Sequence, residues 1–280
     1  MVKEKLKNWK QSYWNQISRN IGLINIEDQE ILRKTNIAVF GLGGLGGPLV
    51  EQLVRSGCEN LLICDNDKFE PSNLNRQLCT KKDIGKYKVD VIEVFLKSIN
   101  PDQKLKKVRE VNGTNLETIL NNIAITVLTL DDPITSILIA RQCCKNKIPL
   151  LESWAIPYLF ALWFTEKSAE YESFYGFKTQ NMSIQELIKS KDVLLEIKIN
   201  FLKKLTQFPG IKERYNREEG AYEALLAGQI PLVSFAPIVR ITASYLAFEV
   251  IFTGILKIKK MNLAPNIIGY DYFNMSPINL

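Results

Sequence analysis

The sequence predicts an α/β fold: a doubly wound, mostly parallel sheet, extended by C-terminal antiparallel strands and helices. Three observations carry this expectation. Short apolar runs alternate with helix-like segments through the first 154 residues. The first buried run, Asn36–Phe40, ends in a glycine cluster, Gly41-Leu-Gly-Gly-Leu-Gly-Gly47, and a helical stretch follows directly. No low-complexity segment or flexible linker divides the 280 residues, so one continuous body is expected.

Residues 3–18 place Trp9, Tyr13, Trp14 and Ile17 at helical spacing. Asn25-Ile-Glu-Asp28 opens a short helix through Leu32. After the Asn36–Phe40 strand, a helix runs from Pro48 to Ser56, closed by Gly57. Asn60–Cys64 is the second strand, and Tyr87 to Ile99 is a helix stopped at Asn100-Pro101. Lys104–Val108, Ala124–Leu130 and Pro149–Ser153 are further strands, separated by helices over Asn115–Asn121 and Ile134–Asn146. Beyond residue 155, Tyr158–Thr165 reads as a strand and 167–183 as an irregular crossover rich in aromatics. Residues 184–206 and 216–227 are helical, a long helix follows Pro237 to Gly254, and Asn266–Asp271 is a late strand. The expected division is an N-terminal helical arm (1–35), a core of alternating strands and helices (36–154), and a C-terminal part (155–280) packed on the same sheet.

Composition excludes several chemistries. There is no histidine, so there is no Ser-His-Asp triad, no Cys-His pair and no imidazole acid or base. The five cysteines, Cys58, Cys64, Cys79, Cys143 and Cys144, are odd in number and contain no Cys-x-x-Cys. They form neither a disulfide framework nor a zinc ribbon, and suit a reducing cytoplasm. The charged start of the chain does not resemble a signal peptide. The apolar stretch from Leu232 to Leu256 carries Arg240 and Glu249, so a buried helix is expected, not a membrane span. The net charge of +6 is dispersed, and its nearest thing to a basic run is Lys257-Ile-Lys-Lys260. Nucleic acid is therefore not the expected partner.

The glycine cluster lets the backbone turn tightly and approach a phosphate, with a helix N-terminus behind it. Taken alone, it fits a nucleotide site or a glycine-rich structural turn. Asp65 ends the second strand, where a carboxylate can accept from a ribose, and this leaves a dinucleotide-binding dehydrogenase open. The next segment, Asp65-Asn-Asp-Lys-Phe-Glu-Pro-Ser-Asn-Leu-Asn-Arg-Gln77, adds Asp67, Asn73, Arg76 and Gln77. A dehydrogenase has no use for this set, whereas a triphosphate needs cations around it. Asp83-Ile-Gly-Lys-Tyr-Lys88 then puts a lysine at a helix start, and Thr129-Leu-Asp-Asp-Pro133 puts carboxylates after the fourth strand.

In this order the motifs G-x-G-G-x-G, D-x-D, N-L-x-R-Q, G-x-x-K and a strand-four Asp resemble the ThiF/MoeB/HesA family of adenylyltransferases. That family is related to the adenylation domains of ubiquitin-activating enzymes. The resemblance is close over residues 13–154 and limited to a helix-then-strand pattern over 232–273. It implies a Rossmann-like fold and ATP and Mg²⁺ as ligands. It also implies a nucleotide loop made by Gly41, Gly43, Gly44 and Gly46. Asp65 would hold the ribose, with Asp67 beside it. Asn73, Arg76 and Gln77 would line the phosphates. Lys88, rather than Lys86, matches the catalytic lysine. Asp132, rather than Asp131, matches the magnesium ligand. Arg19 matches an arginine that the family inserts into a neighbouring subunit's site, which implies a homodimer.

The implied reaction is adenylation of the C-terminal carboxylate of a ubiquitin-like or sulfur-carrier protein ending in Gly-Gly. A carboxylate is ionised at neutral pH, so no general base is required and the missing histidine fits. Adenylation of a small ribosomal peptide is the alternative. A modified tRNA base is disfavoured by the weak basic signature. An NAD-dependent dehydrogenase and an inactive partner subunit rank below these, because Arg76, Lys88 and Asp132 are all present. The chain departs from many relatives in two ways. It has no Cys-x-x-Cys pairs, so no zinc is expected. It has no cysteine beyond Cys144, so the activity is expected to end at an acyl-adenylate passed to another protein. Cys143 and Cys144 are expected to be buried, while Cys79 has no supporting motif. Phe174, Tyr175 and Phe177 either pack in a local core or cover the tail of the acceptor.

Overall fold

A computed structural model describes residues 9–280. The first residues of the expected N-terminal helix lie outside the described residues. What is described begins with α1 (Gln11–Ile17), a 3₁₀ turn (Ser18–Asn20) and α2 (Ile26–Lys34). The expected start of α2 is present: Asn25 Oδ1 accepts from Asp28 N–H at 2.8 Å, and Asp28 Oδ2 accepts from Asn25 N–H at 3.2 Å. This capping box satisfies two amide groups that a helix leaves unpaired at its start.

The core then alternates β1 (Asn36–Phe40), α3 (Gly46–Arg55), β2 (Asn60–Cys64), α4 (Lys88–Ile99), β3 (Lys104–Val108), α5 (Leu116–Ile119), β4 (Ile125–Leu128), α6 (Pro133–Lys145) and β5 (Leu150–Glu152). The strand order is β3-β2-β1-β4-β5-β7, parallel up to β5, with β7 (Leu162–Phe164) antiparallel at the edge. Side chains alternate across the pleat. Ile37 and Val39 face a core shared with α3, α4 and α12 (Ala236–Phe248). Ala38 and Phe40 face a second core under α6 and the C-terminal helices. Both faces are covered, so β1 is apolar throughout, as a parallel central strand must be. β3 is different: its three lysines leave the exposed edge unattractive to other strands.

The C-terminal part differs from expectation in several places, among them the expected 216–227 helix, which covers only Ala221–Leu226. Tyr158–Thr165 is not one strand. β6 (Leu159–Phe160) and β7 are separated by Ala161 and belong to different sheets. β6 joins β8 (Ile268–Asp271) and β9 (Ser276–Asn279) in a small antiparallel sheet, so the late strand is not on the main sheet. Residues 184–206 form two helices, α8 (Ile184–Lys189) and α9 (Lys191–Leu205), because Ser190 ends one and caps the other by accepting from Val193 N–H. Two short helices follow, α10 (Ile211–Tyr215) and α11 (Ala221–Leu226).

The 167–183 crossover is ordered around α7 (Tyr171–Tyr175). Phe174, Tyr175 and Phe177 are buried in the core beneath α6 and α9, so they do not cover an acceptor tail. The cause is Arg141 on α6. Its guanidinium makes a two-pronged pair with Glu172, both bonds 2.8 Å, and donates to the carbonyls of Thr179 and Met182. A fork of fixed geometry satisfied on all sides holds the segment closed. The long apolar helix continues from α12 into a π-helical turn, Glu249–Ile255. It is long and apolar enough to cross a bilayer by those criteria alone. Half of it is buried in this fold, with Val239, Ala243 and Leu246 in the core shared with α3.

Glu152, at the end of β5, is buried and accepts from the hydroxyls of Tyr175 (2.6 Å) and Tyr171 (3.1 Å). Burial pushes its carboxyl up to about 7, and the two hydroxyl donors only partly offset this. The folded state therefore holds this proton more tightly than the unfolded chain, and stability falls as pH rises from the ordinary carboxyl range through 7. At about 1.4 kcal/mol per pKa unit, the group costs about 3 kcal/mol above pH 8 relative to pH 4. Glu152→Gln is expected to remove that slope and to raise the melting temperature at pH 8. Melting curves of both proteins from pH 5 to 8 check this.

Candidate active site

The site follows from strand order. After β3 the chain crosses to the far side of β1 to form β4, so the loops after β1 and β4 diverge and leave a crevice at the C-terminal edge. The glycine loop follows β1, and Thr129-Leu-Asp-Asp132 follows β4.

The glycines do two separate jobs. Gly41 has φ +93°, and a Cβ there would lie 2.5 Å from Thr129 O. At Gly46 a Cβ would lie 1.8 Å from Gly41 O and 2.7 Å from Thr129 Oγ1. These two are required by the protein's own backbone. Gly44 lies against Val239 of α12, at 3.1 Å from a built Cβ, with the Arg76 stem at 3.7 Å. Gly43 has no such reason: its nearest neighbour would be Gln77 Nε2 at 3.7 Å. A Cβ would fit there, so the protein's own packing does not require this glycine.

Asp65 lies at the end of β2, buried beside this loop. Its Oδ2 accepts from Leu42 N–H at 2.6 Å and its Oδ1 from Asp67 N–H at 2.8 Å. Burial raises its pKa, against the pull of Lys88 and of both amide donors. The residue expected to hold a ribose thus first holds the glycine loop. Each oxygen keeps a further lone pair for a hydroxyl donor. Lys88 is the first residue of α4 and is buried. Its ammonium is 2.8 Å from Asp67 Oδ2 and 3.9 Å from Asp65 Oδ1, and its amide donates to Asp67 O. Lys86 is on the exposed side and pairs with Asp83 at 3.3 Å.

Asn73 organises the next turn. Its side chain accepts from Glu70 N–H at 3.1 Å, and its carbonyl accepts from the amides of Arg76 and Gln77. Gln77 Oε1 is buried with no hydrogen-bond partner, and the Nε2 of the same side chain is the atom nearest Gly43. A buried acceptor without a donor is costly, and its place at the glycine loop suits a ligand donor. Arg76 donates to Ser72 O and Asn75 Oδ1, and no carboxylate among the described residues pairs with it.

Asp132 is exposed and caps α6, accepting from Ile134 N–H (3.1 Å), Thr135 N–H (3.3 Å) and the Thr135 hydroxyl. Asp131 is exposed and outside this cap. Among the described residues no three metal-ligating side chains cluster. The cap leaves Asp132 one lone pair, on Oδ1, and one carboxylate ligand fits Mg²⁺, which takes one or two protein carboxylates and completes its shell with phosphate and water.

Arg19 stands apart. It is exposed in the 3₁₀ turn after α1, and that arm is fastened at the other end of α3 through Gln16 to Val54 O and Asn20 to Ser56 O. The ten residues of α3 span about 15 Å, so Arg19 does not reach its own glycine loop. Two contributors were not singled out from sequence. Thr129 Oγ1 donates to Gly41 O at 2.8 Å and ties the two loops together. Val239 supports Gly44 from a helix nearly 200 residues away. A hydroxyl directly after an apolar strand was the only signal for Thr129, and Val239 had none. Of the paired cysteines, Cys143 is buried and its thiol is pushed up to about 12, but Cys144 is exposed. Adjacent helix positions point about 100° apart, so both could not face the core.

The ThiF family pattern matches residues 17–279. The chain belongs to the ThiF family. Among curated relatives, the tRNA threonylcarbamoyladenosine dehydratase of Bacillus subtilis is 32% identical over 142 residues, 50% of this chain and 56% of that protein. A probable molybdopterin-synthase adenylyltransferase of Gracilaria tenuistipitata is 34% identical over 134 residues, 46% of this chain and 38% of that protein. The chain thus spans about half, or less, of these relatives. The crystal structure of E. coli MccB with AMPCPP and selenomethionine MccA has a TM-score of 0.66 at 20% identity, covering 97% of this chain and 73% of that one. That likeness extends the shared fold through the C-terminal part of this ThiF-family chain.

The glycine geometry separates two outcomes. Gly46→Ala is expected to destabilise the fold by more than about 3 kcal/mol, since backbone must move. Gly43→Ala is expected to melt within about 0.5 kcal/mol of the parent while losing at least tenfold in ATP affinity. Thermal melts and equilibrium binding of ATP measure both.

Proposed function

We propose that this ThiF-family chain is an adenylyltransferase that transfers AMP from ATP to the C-terminal carboxylate of a ubiquitin-like or sulfur-carrier protein. The observation that carries the reading is the cradle at Gly43. The fold does not require a glycine there, the side chain of Gln77, whose Oε1 is unpaired, lies alongside, and Arg76, without a carboxylate partner, lies against the adjoining Gly44. Relatives named as molybdopterin-synthase adenylyltransferase and as SAMP-activating enzyme support the class.

The acceptor carboxylate attacks the α-phosphorus of ATP, a P–O bond forms, and pyrophosphate leaves. The nucleophile is already an anion, so no residue need remove a proton. The obstacle is repulsion between anions and the charge that moves onto the leaving group. Arg76 and Lys88 stabilise that charge in a crevice pre-shaped by the Asp65 latch. The ammonium of Lys88 has three donors and uses one on Asp67, so others remain for phosphate. Asp132 would hold Mg²⁺, which supplies charge neutralisation at the phosphates.

A homodimer completes the reading. Arg19 does not reach its own site, and α12 presents Ile241 and Phe248, with Tyr245 stacked on Phe248 at 6.2 Å, as an apolar stripe. The stripe suits a second copy that delivers Arg19 in trans. A cytoplasmic setting fits the free thiols. A short ribosomal peptide is a second acceptor. The ordered 167–183 segment favours it, because Phe174, Tyr175 and Phe177 pack in the core and none is left to lie over a protein tail. MccB, whose fold this chain shares, was crystallised with MccA.

ATP–pyrophosphate exchange with carrier proteins ending in Gly-Gly and with short peptides tests the reading. Arg76→Ala and Asp132→Ala are expected to lower exchange by roughly 100-fold or more. Exchange driven only by a modified tRNA, or tight NAD binding without exchange, overturns it. Arg19→Ala and Arg76→Ala are each expected to be inactive, while their mixture recovers up to about one quarter of parental activity through heterodimers. No recovery after subunit exchange sinks the shared site.

A further inference from the structure

A cavity of about 650 Å³ opens at the edge of the sheet opposite the glycine loop, where β4 begins and α2 ends. Its lining includes an apolar floor of Ile125 and Leu263, with the exposed Ile31 beside them. Its rim carries Lys147, Lys167, Lys257 and Lys260, with Glu166 as the one carboxylate. Glu166 pairs with Lys147 at 3.2 Å. Lys259, within the same basic run, is turned away to Glu249 at 2.8 Å. Lys167, Lys257 and Lys260 have no carboxylate partner among the described residues.

Backbone irregularities converge on this cavity. Among the described residues four non-glycine positions have positive φ, and two of them are rim lysines, Lys147 (+55°) and Lys257 (+56°). Each follows the C-terminus of a helix, a position that glycine fills without strain. The π-helical turn Glu249–Ile255 contributes Gly254 and Ile255 to the wall. π-helical turns are rare and gather at functional sites, and strained backbone gathers at ligand clamps. Both lysines close helix ends, with Ile148 N–H donating to Cys143 O and Ile258 N–H to Phe252 O, so the helix ends themselves bring them to the cavity.

We propose that this cavity binds a small anionic amphiphile, with its apolar body on the floor and a carboxylate or phosphate head among Lys167, Lys257 and Lys260. The volume is within the usual range for small-molecule sites, and the charge of the rim matches the head group. The site is separate from the ATP crevice and independent of the reaction proposed there.

Isothermal titration of the full chain with decanoate tests this, with acetate, inorganic phosphate and decanol as controls. Saturable 1:1 binding of decanoate is expected, with each control at least tenfold weaker. The combined Lys167→Glu, Lys257→Glu and Lys260→Glu variant is expected to bind at least tenfold more weakly. Lys257→Gly relaxes the strained backbone. It is expected to melt a few degrees higher without ligand and to bind at least threefold more weakly, which keeps the test open if charge reversal unfolds the chain. No saturable decanoate binding, or unchanged affinity in Lys257→Gly, overturns the proposal. Equal binding of decanol removes the head group from it, and equal binding of inorganic phosphate removes the floor.

Discussion

The carboxylate of Asp65 is the interaction on which the site depends. It is buried at the end of β2 and takes the amide of Leu42 on one oxygen and that of Asp67 on the other. The first bond fixes the glycine loop. The second fixes Asp67, which in turn holds both the amide and the ammonium of Lys88. A buried carboxylate is expensive unless it is hydrogen-bonded, and these bonds satisfy it. One side chain therefore sets the relative positions of the loop after β1 and the helix that carries the lysine.

The second constraint is the close approach of two loops at the switch in strand order. Gly41 and Gly46 have no room for a Cβ because Thr129 follows β4 immediately beside them. That crowding brings the Asp132 cap within a few residues of the glycine loop. The site is accordingly built on strand ends and helix starts, which are stiff elements, and it needs little reorganisation to hold a polyphosphate.

Much of this was legible in the chain. β1 through β5 and the helices between them follow from apolar period and from caps such as Asn25 and Asp132, because both are local effects. The motif residues Arg76, Gln77 and Lys88 were found by type and spacing. Their surroundings were not. Asp65 looked like a ribose ligand and proved also to be a latch, since Leu42 N–H reaches it only when β1 and β2 pair. The 167–183 segment looked irregular because its order comes from Arg141, about 30 residues earlier. Cys144 could not be placed without knowing which face of α6 meets the core.

The sequence by itself determined the parallel core, the crevice residues and a chemistry free of histidine, because periodicity, capping and residue type act over a few positions. The tertiary structure decided the rest. It split the strand around Ala161 between two sheets, set Val239 under Gly44, removed Arg19 from its own site and gathered four lysines around a distant cavity. Each of these rests on contacts between residues far apart in the chain, and such contacts exist only once both cores have packed.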